Sequence, residues 1–186
     1  MGIEDGSYIV SAFPVFLQCC DKILHYGGEG VGIPRIKCGA NYINSRMAQL
    51  EAIRNGYDTT IFLNNSGKVS EGPGSCLFMV KNGVLVTPLL TDSVLESITR
   101  DTILRIAKDV LQIPVEERSV DRTELYTCGE AFLCGSAMEI TPIYSVDRYK
   151  IGEEEGNITK KLHQIYLQMV TGKLDGYSHW LTEIYE

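Results

Sequence analysis

Apolar residues in this chain recur with two periods, one suited to strands and the other to helices. Residues 59–63, 76–80 and 84–86 are short β-branched, aromatic or otherwise apolar runs and read as strands; Asn82-Gly83 between the last two is a strong hairpin signal. Residues 7–16 form an earlier strand edged or broken at Pro14. The period changes after Asn41. Ile43, Met47, Leu50, Ala52 and Ile53 lie near helical spacing, so they predict a helix capped by Asn41, stopped at Asn55-Gly56, with those five facing inward. A second helix is predicted from about Thr99, burying Ile103, Ile106, Ala107, Val110 and Leu111 and ending at Ile113-Pro114. Strands over 115–119, 130–134 and 140–151, with a short helix over 122–126, lead to a last helix over 158–170. That helix turns Ile158, Leu162, Ile165, Tyr166, Met169 and Val170 inward and is capped by Gly172. The fold class is α+β, with hairpins dominating the middle.

Composition narrows the function. The chain has 186 residues, 44% hydrophobic and 22% charged, with a formal net charge of −7. Scattered basic residues on an acidic chain argue against nucleic acid or an anionic membrane as partner. No apolar run approaches the roughly 20 residues that span a bilayer, and the start Met1-Gly2-Ile3-Glu4-Asp5 lacks the basic opening of an export signal, so a cytoplasmic location is expected. The six cysteines show no metal-ligand spacing and are expected as reduced thiols; no metal is expected. The glycine run at 27–32 reads as a link, because Ile33 stands where a dinucleotide loop needs its third glycine.

Four short stretches combine small residues with groups that bind or move charge. Lys37-Cys38-Gly39-Ala40-Asn41-Tyr42, Ser70-Glu71-Gly72-Pro73-Gly74-Ser75 and Cys134-Gly135-Ser136-Ala137-Met138-Glu139 would let a flat ligand approach the backbone. Leu95-Glu96-Ser97-Ile98-Thr99-Arg100 opens the second helix, where free N–H groups suit a phosphate.

In order, these stretches read K-x-G-x-N-Y, E-G-x-G, L-x-x-I-T-R-D and E-x-F-x-x-G-S-A-x-E-I-T-P. The set resembles the branched-chain aminotransferase family of pyridoxal-phosphate enzymes, fold type IV, which also holds D-amino-acid transaminases and aminodeoxychorismate lyase. The resemblance implies a large cofactor domain over 37–186, preceded over 1–36 by the remnant of a small-domain strand and a linker. It implies pyridoxal 5'-phosphate as cofactor, held by Lys37 as a Schiff base; the same amine, once freed, moves the substrate's α-proton. Glu71 matches the glutamate facing the pyridine nitrogen, and Tyr42 the tyrosine on the ring's phenolic oxygen. Leu95 would pack on the ring, the amides of Ile98 and Thr99 and the hydroxyl of Ser136 would hold the phosphate, and the amides of Ser136 and Ala137 would receive the substrate's carboxylate.

The implied reaction is transamination of branched-chain amino acids and their 2-oxo acids with glutamate and 2-oxoglutarate. A lyase or D-specific transaminase, or a non-catalytic cofactor domain, is the alternative. The family's smaller N-terminal domain, with its phosphate-binding arginine, has no match in residues 1–36, so a homodimer or completion by another chain is expected. Two departures stand at the site. Ser97 replaces the family's usual glycine and would strain the phosphate turn if that position needs positive φ; Ser75-Cys76 replaces a common Glu-Asn pair.

Overall fold

The computed structural model describes the backbone of residues 15–20, together with residues 37, 39–152, 156–182 and 184. The expected link at 27–32 and most of the expected strand at 7–16 lie outside the described residues. Among the described residues eight strands form one mixed sheet: β1 (Val15–Cys20), β2 (Thr59–Phe62), β3 (Cys76–Lys81), β4 (Val84–Thr87), β5 (Val115–Glu117), β6 (Glu130–Gly135), β7 (Glu139–Val146) and β8 (Tyr149–Lys150). Their order is β2-β1-β7-β6-β3-β4-β5, with β8 paired to β7. β1 runs parallel to both neighbours, pairing Leu17 with Thr59 and Val15 with Ile143. From β7 to β4 every pairing is antiparallel. The β3–β4 turn is the expected hairpin: Asn82 and Gly83 adopt φ of 52° and 78°, the left-handed pair that matches strand twist.

Strand β3 is apolar on both sides because the sheet is covered on both faces. Leu77, Met79, Ala131 and Leu133 join one core with Leu63, Val69, Val120 and Leu125. Cys76, Phe78, Phe132 and Cys134 join the other, beneath α2 (Ile98–Arg105) and α3 (Asn157–Val170). At its centre the rings of Phe78 and Phe132 stack, with centroids 5.1 Å apart and planes at 9°.

Several details differ from the sequence reading; the helix expected to run to Ile113 is regular only to Arg105 and continues as a π turn over Ile106–Val110, which leaves Val110 and Leu111 half-buried. In α1 (Tyr42–Arg54), Ala48 and Ala52 face the protein, whereas Ile43, Met47, Leu50 and Ile53 are between 41% and 68% exposed. The helix meets its neighbours on its small residues, where backbones approach closely. Asn41 makes no side-chain cap, because a 3₁₀ turn over Gly39–Asn41 runs into α1 with helical dihedrals already in place. On α3, Leu162, Tyr166 and Met169 are buried as expected, but Val170 is exposed and Thr159 is buried instead.

Thr159 is buried because of Glu130. Its carboxylate accepts the N–H groups of Ile158 and Thr159, at 3.1 and 2.8 Å, and the Thr159 hydroxyl at 2.7 Å. It thereby takes two of the amides that begin α3. The fit leaves no room for a side chain at Gly156, whose Cβ would fall on the Glu130 carboxyl. Glu130→Ala is expected to destabilise the protein by about 2 kcal/mol, the scale of a lost cap plus unpaired donors, read as a lower urea midpoint at unchanged slope. An unchanged midpoint would show that water replaces the carboxylate freely.

Candidate active site

Glu71 lies beside the end of β2, where its carbonyl accepts the Phe62 N–H at 2.8 Å. Its carboxylate accepts the Leu95 N–H at 3.0 Å, which ties the Gly72–Ser75 turn to the approach to α2. Burial pushes the Glu71 carboxyl up to about 7, and the Leu95 amide offsets part of that shift. The other carboxylate oxygen has no hydrogen-bond partner among the described residues.

Leu95 is half-buried, and its carbonyl faces the Cys76 thiol at 3.8 Å. Two residues on, Ser97 caps α2 by accepting the Arg100 N–H. Its φ is −90°, so serine sits there without the left-handed strain that the glycine-to-serine departure raised. Ile98 and Thr99 follow as the first helical residues, whose N–H groups have no intrahelical partner. The Ile98 side chain is 87% exposed, while Thr99 is buried. Buried Arg100 holds this turn to the sheet through the Pro88 carbonyl at 3.0 Å and Glu117 at 2.8 Å.

Ser136 and Ala137 are exposed at the β6–β7 turn. That turn abuts the Glu71 turn: a Cβ on Gly135 would lie 3.2 Å from the Gly74 carbonyl. Gly74 has φ of 74° and lies against the Tyr42 ring, with its added Cβ 3.6 Å from the ring edge. A cleft of about 500 Å³ opens beside these turns, lined by Tyr42, Ser45, Arg46, Gln49, Asp58, Thr59, Pro73, Ser75 and Met138. Glu71, Leu95, Ile98 and Thr99 are not among its walls. Lys37 is exposed and makes no hydrogen bond or ion pair among the described residues. The fold thus brings the turns bearing Tyr42, Glu71, Leu95, Ile98, Thr99, Ser136 and Ala137 to one region, and among the described residues no hydrogen bond or ion pair links Lys37 to them.

Several cleft residues escaped the sequence reading. Arg46 stands one helical turn after Tyr42 on the same face of α1, a spacing that could have marked it. Thr59 and Gln49 reach the cleft through a bond between β2 and α1, Thr59 Oγ1 to Gln49 Oε1 at 2.6 Å, which no local pattern announces. Among the described residues there is no cluster of metal-ligating side chains and no helix long and apolar enough to cross a membrane.

Residues 30–146, which carry all four of these turns, match the amino-transferase class IV family. The chain belongs to that family. A probable branched-chain-amino-acid aminotransferase of Aquifex aeolicus is 44% identical over 153 residues, 82% of this chain and 49% of the relative. The branched-chain-amino-acid aminotransferase of Escherichia coli is 43% identical over 80% of this chain and 48% of its own. Among solved structures, the branched-chain amino acid aminotransferase of Thermobaculum terrenum in its PLP-bound holo form superposes with a TM-score of 0.88 at 48% identity, covering 94% of this chain and 56% of that one. The α+β architecture is therefore that of fold type IV. This class IV chain spans about half the length of the curated relatives it matches.

Proposed function

We propose that the chain is the cofactor-binding part of a pyridoxal-phosphate-dependent transaminase that exchanges amino groups between branched-chain amino acids and 2-oxo acids, with glutamate and 2-oxoglutarate as counter-substrates. The observation that carries it is Glu71, a desolvated carboxyl with one oxygen held by a backbone amide and the other unpartnered, in a chain of this family. Such a group suits a protonated pyridine nitrogen, because pairing with a cation restores what burial takes from the carboxylate.

The surrounding residues fit the same ligand. The free amides of Ile98 and Thr99 and the hydroxyl of Ser136 suit the phosphate, and small Gly74 and Gly135 let the neighbouring turns close up. Tyr42 offers a hydroxyl to the ring's phenolic oxygen, and half-buried Leu95 an apolar contact to its face. Bound pyridoxal phosphate supplies the electron-accepting ring on which transamination depends. Lys37 holds the cofactor and moves the α-proton through Nζ, Glu71 keeps the ring nitrogen protonated, and the Ser136 and Ala137 amides orient the substrate carboxylate.

A further part of the reading is that residues 37–186 act as the cofactor domain, that the protein works in the cytoplasm, and that a second copy or another chain completes the substrate wall. The exposed apolar stripe of α1 supports that last point by offering a surface to cover. The test is transamination from leucine to 2-oxoglutarate followed as glutamate formed; an amino acid consumed with no glutamate formed would point to a lyase instead.

A further inference from the structure

Cys76 and Cys134 stand directly opposite each other in the antiparallel β3–β6 ladder. They project to the same face, followed by the stacked Phe78–Phe132 pair two residues along. Directly opposed residues in such a ladder have Cα atoms about 4.5–5.5 Å apart, inside the range of about 4.4–6.8 Å that a disulfide bridges. Both are free, buried thiols. The neighbouring Cys134 thiol lowers the Cys76 thiol below its usual range, whereas burial raises Cys134 well above it, so Cys76 is the better nucleophile.

Both sulfurs are buried, but the route to them is short. Cys76 follows Ser75, a wall of the cleft, and the Gly72–Ser75 turn is closed by two backbone bonds of 2.8 and 3.3 Å. Opening that turn admits a small oxidant. We propose that Cys76 and Cys134 form a reversible intramolecular disulfide, a modification site set directly behind the Glu71–Leu95 contact. With hydrogen peroxide, the Cys76 thiolate attacks one oxygen, the O–O bond breaks, and one water leaves once protonated. The Cys134 sulfur then displaces the oxygen from the resulting sulfenic acid as a second water. Two thiols lose two electrons and two protons, and one peroxide becomes two waters.

The bond removes the thiol proton that Cys76 donates to the Leu95 carbonyl, and Leu95 is the residue whose N–H holds Glu71. Oxidation therefore weakens cofactor binding, a consequence that rests on the proposed pyridoxal-phosphate reading. The experiment treats the native full chain with hydrogen peroxide, alkylates remaining thiols after unfolding, and maps peptides by mass spectrometry. The expected result is a Cys76–Cys134 linked peptide, two mass units lighter and removed by dithiothreitol, while buried Cys128 is alkylated. Recovery of both thiols alkylated while other cysteines oxidise overturns the proposal. In parallel, pyridoxal phosphate is titrated by absorbance: oxidised protein should bind roughly threefold to tenfold more weakly, the effect of one lost hydrogen bond. Dithiothreitol should restore binding, and Cys134→Ala should be insensitive to peroxide. Linked peptide with unchanged binding overturns the coupling to Glu71. If reduced protein binds no cofactor at all, the cofactor reading fails, and the peptide map still decides the disulfide.

Discussion

Lys37→Ala is expected to abolish the visible absorption band that pyridoxal phosphate gives on binding, and to lower transamination by ~10³-fold or more, the scale of removing a covalently acting amine. Borohydride treatment of the wild-type protein should fix a pyridoxyl group on the peptide that carries Lys37, and on none in the variant. Lys37 is exposed and has no hydrogen-bond or ion-pair partner among the described residues, so its removal should leave thermal stability within about 0.5 kcal/mol of wild type. That combination separates a chemical role from a structural one. A variant that keeps its band would show that another amine holds the cofactor.

Glu71→Gln should trade function for stability. Burial raises the folded carboxyl to about 7 from an ordinary 4.5. Below the lower value both folded and unfolded chains are protonated, and the group has no effect on stability. As pH rises through the window to 7 the unfolded chain releases its proton first, so stability falls; above 7 the folded protein carries a desolvated carboxylate. Glutamine removes that penalty. Without cofactor, the variant should be more stable than wild type by about 1–3 kcal/mol at pH 8 and equal to it at pH 4, measured by urea unfolding. With cofactor, turnover should fall ~10²–10³-fold, because a neutral amide cannot hold the ring nitrogen's proton by charge. Equal gains at the two pH values would show that Glu71 is not the titrating group.

Much of the fold was legible because its signals are local. Asn82-Gly83 specifies its turn by backbone preference alone, and the unbroken apolar run of β3 marks a strand covered on both faces. The last helix was readable from Leu162, Tyr166 and Met169. Misreadings arose where the environment decides. Ile43, Met47, Leu50 and Ile53 have the spacing of a core stripe, but spacing reveals only that residues share a face, never what lies opposite it. Glu130 looked like part of a motif; its task of capping α3 depends on a contact with residues 28 and 29 positions away. The site residues came from family resemblance more than from physics, since a glutamate in a glycine-rich turn says nothing of its desolvation until Leu95 is seen beside it.

The place of β1 governs the order in which the chain can fold. The β3–β4 hairpin joins residues close in sequence, Lys81 with Val84 and Met79 with Val86, so this piece of the sheet can assemble early. β1 instead pairs with β7, Val15 with Ile143, across most of the chain, and with β2 on its other side. Closing so long a loop is entropically slow. During synthesis the β1 segment emerges before the strand it must join, so β1 is expected to dock late between β2 and β7, and an unfilled slot there is where misassembly would begin.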